Sequence, residues 1–445
     1  MQFYGLDFGG GALTQTRDLP HVGSVAGRHQ PDLVRRIVAE LRALVRQRSV
    51  DPGNGDARAE VFLVVDGWAA VRQEFDGLEE SITMLAAQGL AVGVHVVVAA
   101  SRWTEIRPAL KDLLGTRIEL RLGDPTESEM DRTRARLLVD GPPGRGITRN
   151  GLEFAIALPR LDGVQSSAGL DAALGEAAEA LAARHPGPSA PPVELLPTRV
   201  SHAAIVAMAS DSPLGTRLIL GLGESDLQPL TLDFVEQSHL LILGESGAGK
   251  TAALRTLCRE VVRVNSAQSG QLLIVDYRRS LLGVIETDHV AGYAMSRVTA
   301  TSHVDAVART LQARMPPEDV TQTQLRDRSW WKGPEIFVIV DDYDLVATAS
   351  DNPLLPLVEI LPHARDVGFH LMLARRSGGA TRAMFDPVLA RMRELGCMGL
   401  MMSAGSEEGP LFGTVRPSTM PQGRGVIVRR REQDQVVQVG WTDPP

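Results

Sequence analysis

The sequence has 445 residues, is 44% apolar and 22% charged, and carries a formal net charge of −8. That is the composition of a globular chain of about two to three domains, and its acidity marks neither a nucleic-acid binder nor a binder of anionic membranes. The two cysteines, Cys258 and Cys397, stand in no metal or redox spacing, which suits a reducing cytoplasm, and no apolar run reaches the roughly 18 residues of a membrane span.

Residues 1–7 have neither the basic region nor the apolar core of a secretory signal and read as a strand. A strand at the first residue suggests a chain that begins partway through a domain. Gly9, Gly10 and Gly11 lack the spacing of a dinucleotide fingerprint and read as a turn. Residues 51–56 are a loop by composition. The apolar runs at 61–65 and 94–98 are strands by pattern, the first ending on Asp66 and Gly67. Residues 170–183 read as a helix, and the proline-rich run at 185–192 as a semi-rigid linker. These features divide the chain into a first domain at 1–163, a helix and linker at 164–194, and a second domain at 195–445.

Within the second domain, Gly244, Glu245, Ser246, Gly247, Ala248, Gly249, Lys250 and Thr251 fit the pattern of a phosphate-binding loop. A short apolar run, His239 to Leu243, precedes them as a buried strand. Leu254, Leu257, Cys258, Val261 and Val262 follow at helical spacing. A loop of this kind turns backbone amides and a helix N-terminus toward an anion, and its glycines keep Cβ atoms out of the way. Lys250 would reach the β- and γ-phosphates of ATP, and the Thr251 hydroxyl would ligate Mg2+.

The sequence repeats itself. Residues 60–67 match residues 335–342, and the same offset aligns 93–99 with 368–374 and 107–110 with 382–385. Upstream, Leu6 and Asp7 match Val275 and Asp276; downstream, Gly144, Arg145 and Gly146 match Gly423, Arg424 and Gly425. With His21 and Val22 matching His289 and Val290 after a small shift, six matches in one order predict a duplicated domain. Strands alternating with helices predict a doubly wound, mostly parallel sheet in each copy, with ligands at the carboxyl ends of the strands. Asp276 and Asp341 fall at such ends, as Asp7 and Asp66 do in the first copy. The counterpart of Lys250 would lie before Met1, so the first copy has no phosphate loop in this chain; a degenerate domain and a truncated one both fit.

Four apolar residues lead into Asp341 and Asp342. Asp341 would hold Mg2+ through its water shell. Asp342 stands where a water-activating carboxylate, most often glutamate, is expected; its reach is one methylene shorter, so nucleotide binding is predicted and fast hydrolysis is not. A helix cap is the other reading of Asp342. In the first copy Gly67 supplies no base at all. Arg375 and Arg376 stand where related ATPases sense the γ-phosphate, or form an exposed basic loop. Arg145 and Arg424 are candidates for loop contacts, with a structural role favoured by their presence in both copies. Trp330 and Trp331 read as packing residues.

The loop at 244–251, the Asp341–Asp342 strand end, the duplication and the Gly-Arg-Gly near each domain end resemble the FtsK/SpoIIIE-type ATPases. The stretches 61–68, 105–117 and 373–379 are similar, more closely, to the last two ATPase domains of the EccC family of type VII (ESX) secretion. The resemblance implies two tandem RecA-like P-loop NTPase domains, the first without its P-loop here. It implies a cytoplasmic part of a motor that carries a membrane anchor elsewhere and works with other EccC domains or subunits and the inner-membrane secretion complex. It further implies recognition of a C-terminal export signal on WXG100-type, EsxB-like substrates, with ATP and Mg2+ as cofactors and degenerate hydrolysis in the later domains. The alternative is an FtsK-type DNA translocase, which would use a basic channel and a DNA-reading tail; the chain ends at Pro445 just after its last strand candidate. A structural adaptor that binds neither nucleotide nor DNA is the third reading.

Overall fold

The computed structural model describes residues 1–50, 59–184, 187–210, 214–348, 351–405 and 407–445. The loop expected at 51–56, and His185 and Pro186 of the proline-rich run, lie outside the described residues. The chain folds as two units, Met1–Leu195 and Leu196–Pro445.

The first unit is built on β1 (Gln2–Asp7), β2 (Val22–Gly27), β3 (Val61–Asp66) and β4 (Val94–Ala99), all parallel and ordered β2-β1-β3-β4. Parallel neighbours need long crossovers, and helices supply them. The helix Pro31–Val50 buries Val34, Ile37, Val38, Leu41 and Val45 at helical spacing, and Leu78–Gly89 buries Leu78, Ile82 and Leu85. Both stripes close on Leu6, Leu63, Val65 and Trp68. A small antiparallel sheet follows, β5 (Ile118–Leu120), β6 (Arg145–Thr148) and β7 (Glu153–Ala155). The helix expected at 170–183 spans Leu170–Arg184.

The run read as a semi-rigid linker docks, in its described part, on the first unit. Ala190 N donates to Pro20 O at 2.8 Å, Tyr4 Oη to Pro191 O at 3.1 Å, and Val193 N to Ser24 Oγ at 2.9 Å. Prolines lack an N–H to bond, but their carbonyls and the amides between them remain available.

The second unit holds a ten-stranded sheet of β8 (Leu218–Gly223), β9 (Pro229–Leu232), β10 (His239–Gly244), β11 (Gly270–Val275), β12 (Val290–Ala294), β13 (Glu335–Val340), β14 (Phe369–Arg376), β15 (Met398–Met402), β16 (Arg424–Val428) and β17 (Gln435–Val439). Its order is β12-β11-β13-β14-β10-β15-β16-β17-β8-β9. From β12 to β15 the neighbours are parallel; from β15 to β9 they are antiparallel. Successive residues of a strand point to opposite faces. Leu241, Leu243, Leu273, Val275, Val338 and Val340 therefore fill one core, and Leu240, Ile242, Leu272, Ile274, Phe337 and Ile339 another. Both faces are covered, which is why these strands are continuously apolar. Cys258 is a small residue of the second core, and burial pushes its thiol up to about 12. Trp331 packs under the Arg314 guanidinium, 4.3 Å from the ring centroid.

The duplication is visible in the strand order and side-chain contacts of the two units. The order β2-β1-β3-β4 repeats as β12-β11-β13-β14. His95 Nε2 meets Glu60 Oε2 at 2.5 Å, and His370 Nε2 meets Glu335 Oε2 at 3.1 Å. The same imidazoles stack on Phe62 and Phe337 at 4.6 and 4.5 Å. In the second unit β10 lies beyond β14; among the described residues of the first unit no strand lies beyond β4. No helix among the described residues is long and apolar enough to cross a membrane.

Candidate functional site

All six residues of β10 are buried between β14 and β15, and the strand ends on Gly244. The chain then turns through positive φ at Gly247 (+82°) and Gly249 (+112°) and enters the helix Lys250–Val264. A Cβ at Gly249 would stand 3.1 Å from both the Gly423 Cα and the Met402 Cε, so close approach as well as φ requires glycine there. The loop is pinned from the sides. Glu245 N donates to Ser403 O at 2.9 Å, and Glu245 Oε1 accepts from Gly405 N at 2.6 Å. Gly423 N donates to Ala248 O at 2.9 Å. Ser246 is exposed at the tip. Lys250 and Thr251 open the helix, where amides have no intrahelical partner and the dipole is positive.

Lys250 is 6% exposed, and its Nζ donates to Glu245 O at 2.8 Å. Burial lowers its pKa, opposed by the carboxylates of Asp342, Asp341 and Asp344. A buried ammonium at the N-terminus of a helix is the chemistry that suits an anion. The Thr251 hydroxyl donates to Asp341 Oδ2 at 2.7 Å. Asp341 lies just past β13, 1% exposed, and burial raises its carboxyl to about 6, helped by Asp342 and Asp276 and opposed by the Thr251 bond. A hydroxyl and a carboxylate in contact beside a lysine, all oxygen donors but one, are the chemistry that suits Mg2+ and a polyphosphate.

Asp342 adopts a left-handed backbone, φ +47° and ψ +55°, at the start of the helix Tyr343–Val346. Its side chain makes no cap hydrogen bond there. Its amide donates to Asp341 Oδ1 at 3.0 Å, and its Oδ2 lies 3.0 Å from Arg278 Nε. The residue expected to activate water is thus held in an ion pair. Sequence reasoning missed Arg278, although it follows Asp276 by two residues and the repeat places Gly9 at its counterpart.

Other singled-out residues fall in different places. Asp276 organises its own turn: it accepts from Arg278 N at 3.0 Å and from Leu281 N and Tyr293 Oη, both at 2.7 Å. Arg375 and Arg376 end β14 beside the loop, with Arg376 paired in register to Gly244 and held 3.5 Å from Asp344. Arg424 is buried, and its side chain donates to Leu196 O and Pro197 O at 2.6 and 3.0 Å rather than to the loop residues. Its counterpart Arg145 is exposed on β6. In the first unit Asp7 accepts from Gly11 N and Thr14 N at 3.0 and 2.8 Å, a turn like that of Asp276.

A phosphate loop on a central strand, with its threonine bonded to the aspartate of a strand one position beyond the neighbouring one, defines a P-loop NTPase fold of RecA-like type. A model of the FtsK/SpoIIIE family matches residues 1–162 and 215–377, and the chain belongs to that family, in the EccC group of ESX secretion proteins. It is 52% identical over its whole length to the ESX-4 secretion system protein EccC4 of Mycobacterium tuberculosis, of which it covers 36%. It is 36% identical to the ESX-1 secretion system protein EccCb1 of Mycolicibacterium smegmatis, covering 100% of this chain and 79% of that protein. The solved structure of ATPases 2 and 3 of Thermomonospora curvata EccC, in complex with a signal sequence peptide, superposes with a TM-score of 0.90 at 44% identity, over 99% of this chain and 82% of that one. The chain spans 36% and 35% of the length of the M. tuberculosis EccC4 and T. curvata EccC relatives.

Proposed function

We propose that this chain is the ATP-binding, cytoplasmic part of a type VII secretion motor. In this reading it recognises the C-terminal export signal of WXG100-type, EsxB-like substrates and acts with other EccC domains or subunits at the inner-membrane complex. The observation that carries the nucleotide part is the contact of Thr251 with Asp341 beside the buried Lys250. Gly244, Glu245, Ser246, Gly247, Ala248 and Gly249 would cradle the phosphates, Lys250 would neutralise them, and Thr251 and Asp341 would hold Mg2+. Bound Mg-ATP would supply the phosphate chain and the metal that these residues would hold. The substrate part is supported by the relative solved with a signal sequence peptide.

Asp342 is the candidate base, and its ion pair with Arg278 supports slow turnover. The FtsK-type translocase reading is less favoured, because the relatives that match the full chain are ESX secretion proteins. Titration of the chain with Mg-ATP, with phosphate release followed in parallel, tests the proposal. It predicts one tight site and slow release. Brisk turnover would refute the slow-hydrolysis part, and DNA binding that weakens with salt would favour the translocase. A labelled C-terminal peptide of a WXG100 protein that fails to bind, with or without Mg-ATP, would refute the recognition part.

A further inference from the structure

The turns after β11 and β13 differ between the two units in one coordinated way. In the second unit Tyr277, Arg278 and Arg279 follow Asp276; at the matching places of the first, Phe8, Gly9 and Gly10 follow Asp7. The backbones agree with that match. Arg279 and Gly10 both have positive φ, +63° and +126°, and Asp342 and Gly67 do too, +47° and +78°. Two positions that carry arginine and aspartate in one unit therefore both carry glycine in the other.

The glycines close over the space that the pair would fill. A Cβ on Gly67 would stand 2.8 Å from the carbonyl carbon of Phe8 and 3.0 Å from the amide nitrogen of Gly9, and one on Gly9 would run into the Asp66 carboxylate. In the second unit the backbone of each partner is anchored on a strand-end aspartate: Arg278 N on Asp276 Oδ1 and Asp342 N on Asp341 Oδ1, both at 3.0 Å. The Asp342 side chain is only 16% exposed, and Arg278 Nε approaches its Oδ2 to 3.0 Å. Among the described residues the pair occurs in the unit with the phosphate loop, and both partners are replaced together in the other.

We propose that Arg278 is a positioning residue that latches the Asp342 carboxylate and keeps it off the water at the nucleotide site. The inference rests on the reading that residues 244–251 hold Mg-ATP. Hydrolysis forms a bond from the water oxygen to the terminal phosphorus, breaks that phosphorus from its bridging oxygen to release ADP, and sends a water proton to a base. A carboxylate drawn toward a guanidinium is positioned by that charge, and a base must lie within hydrogen-bond reach of the proton it takes. The latch makes slow hydrolysis a property of an ion pair as well as of a short side chain.

The test compares the full chain with Arg278→Ala, Arg278→Lys, Asp342→Asn and the Arg278→Ala/Asp342→Asn double variant. Asparagine tolerates the left-handed backbone of position 342. Single-turnover phosphate release, with protein in excess over Mg-ATP, is expected to rise at least about tenfold in Arg278→Ala, as a freed base would give. The gain is expected to vanish in the double variant, and Arg278→Lys is expected to stay near the parent rate. Without nucleotide, amide hydrogens of the helix Tyr343–Val346 are expected to exchange faster in Arg278→Ala, because the pair anchors the start of that helix. Unchanged or slower release with Mg-ATP affinity intact, or a gain that survives Asp342→Asn, would overturn the latch. If the parent chain binds no Mg-ATP, the site reading falls separately, and unchanged hydrogen exchange in Arg278→Ala then overturns the latch as well.

Discussion

The hydroxyl of Thr251 donates to Oδ2 of Asp341 at 2.7 Å, tying the first turn of one helix to the end of a strand 90 residues further on. The strand β14 runs between their parent strands β10 and β13. The contact brings together two oxygen donors of the kind Mg2+ takes. Asp341→Asn keeps the size and the hydrogen bond from Thr251 but removes the charge. It is expected to weaken binding of Mg-ATP by at least about tenfold while changing metal-free ATP binding much less. Calorimetry with and without EDTA separates the two.

The ligand-free protein should show the cost of burying that carboxylate. Burial raises Asp341 from 3.8 to about 6. Its folded form binds a proton more tightly than its unfolded form, so the stabilising effect is full below pH 3.8 and is lost as pH rises through about 6. Asp341→Asn is therefore expected to raise the melting temperature of the second unit at pH 8 and to flatten its decline between pH 4 and pH 6. Glu335 has the opposite sign. Burial alone would raise it, but the His370 hydrogen bond and the charges of His370 and Arg328 bring it down to about 2. Its contribution is present above its ordinary 4.5 and is lost as pH falls toward 2, a loss that Glu335→Gln would remove. Thermal melts across pH 2 to 8 check both slopes.

Position 67 needs a left-handed backbone and no side chain. Gly67 has φ +78°, and a Cβ there would meet Phe8 and Gly9. Gly67→Ala is expected to destabilise the first unit by about 1–3 kcal/mol, from strain and crowding together. The reciprocal change, Asp342→Gly, relieves the left-handed strain and leaves the fold of the second unit intact. Chemical denaturation of the two variants measures this; equal losses would contradict it.

Much of the fold is legible in the amino-acid sequence. The loop at 244–251 carries its own signature, since glycine, lysine and threonine at that spacing mark the turn from β10 into the helix Lys250–Val264. The duplication was readable because strand ends such as Asp66 and Asp341 recur at one offset, and β2-β1-β3-β4 repeats as β12-β11-β13-β14. The antiparallel extension through β17, β8 and β9 was not. Strand β8, with its sequence Leu-Ile-Leu-Gly-Leu-Gly, is buried along its whole length, and pairing partners more than 200 residues away leave no local mark. The docking of residues 190–194 on the first unit was hidden because prolines signal stiffness and say nothing of what a carbonyl will meet. The Arg278–Asp342 pair was hidden because a left-handed φ at a non-glycine residue has no sequence signature, and it is φ that aims Asp342 at its partner.

The account depends most on residues 244–251 taking a magnesium-bound nucleotide. Isothermal titration of the chain with Mg-ATP, beside Lys250→Ala, addresses that without reference to turnover. The account predicts one site per chain with a dissociation constant of about 10 μM or below, and loss of that binding in Lys250→Ala with the fold unchanged by circular dichroism. Absence of binding to the parent chain, or equal binding by Lys250→Ala, would contradict it.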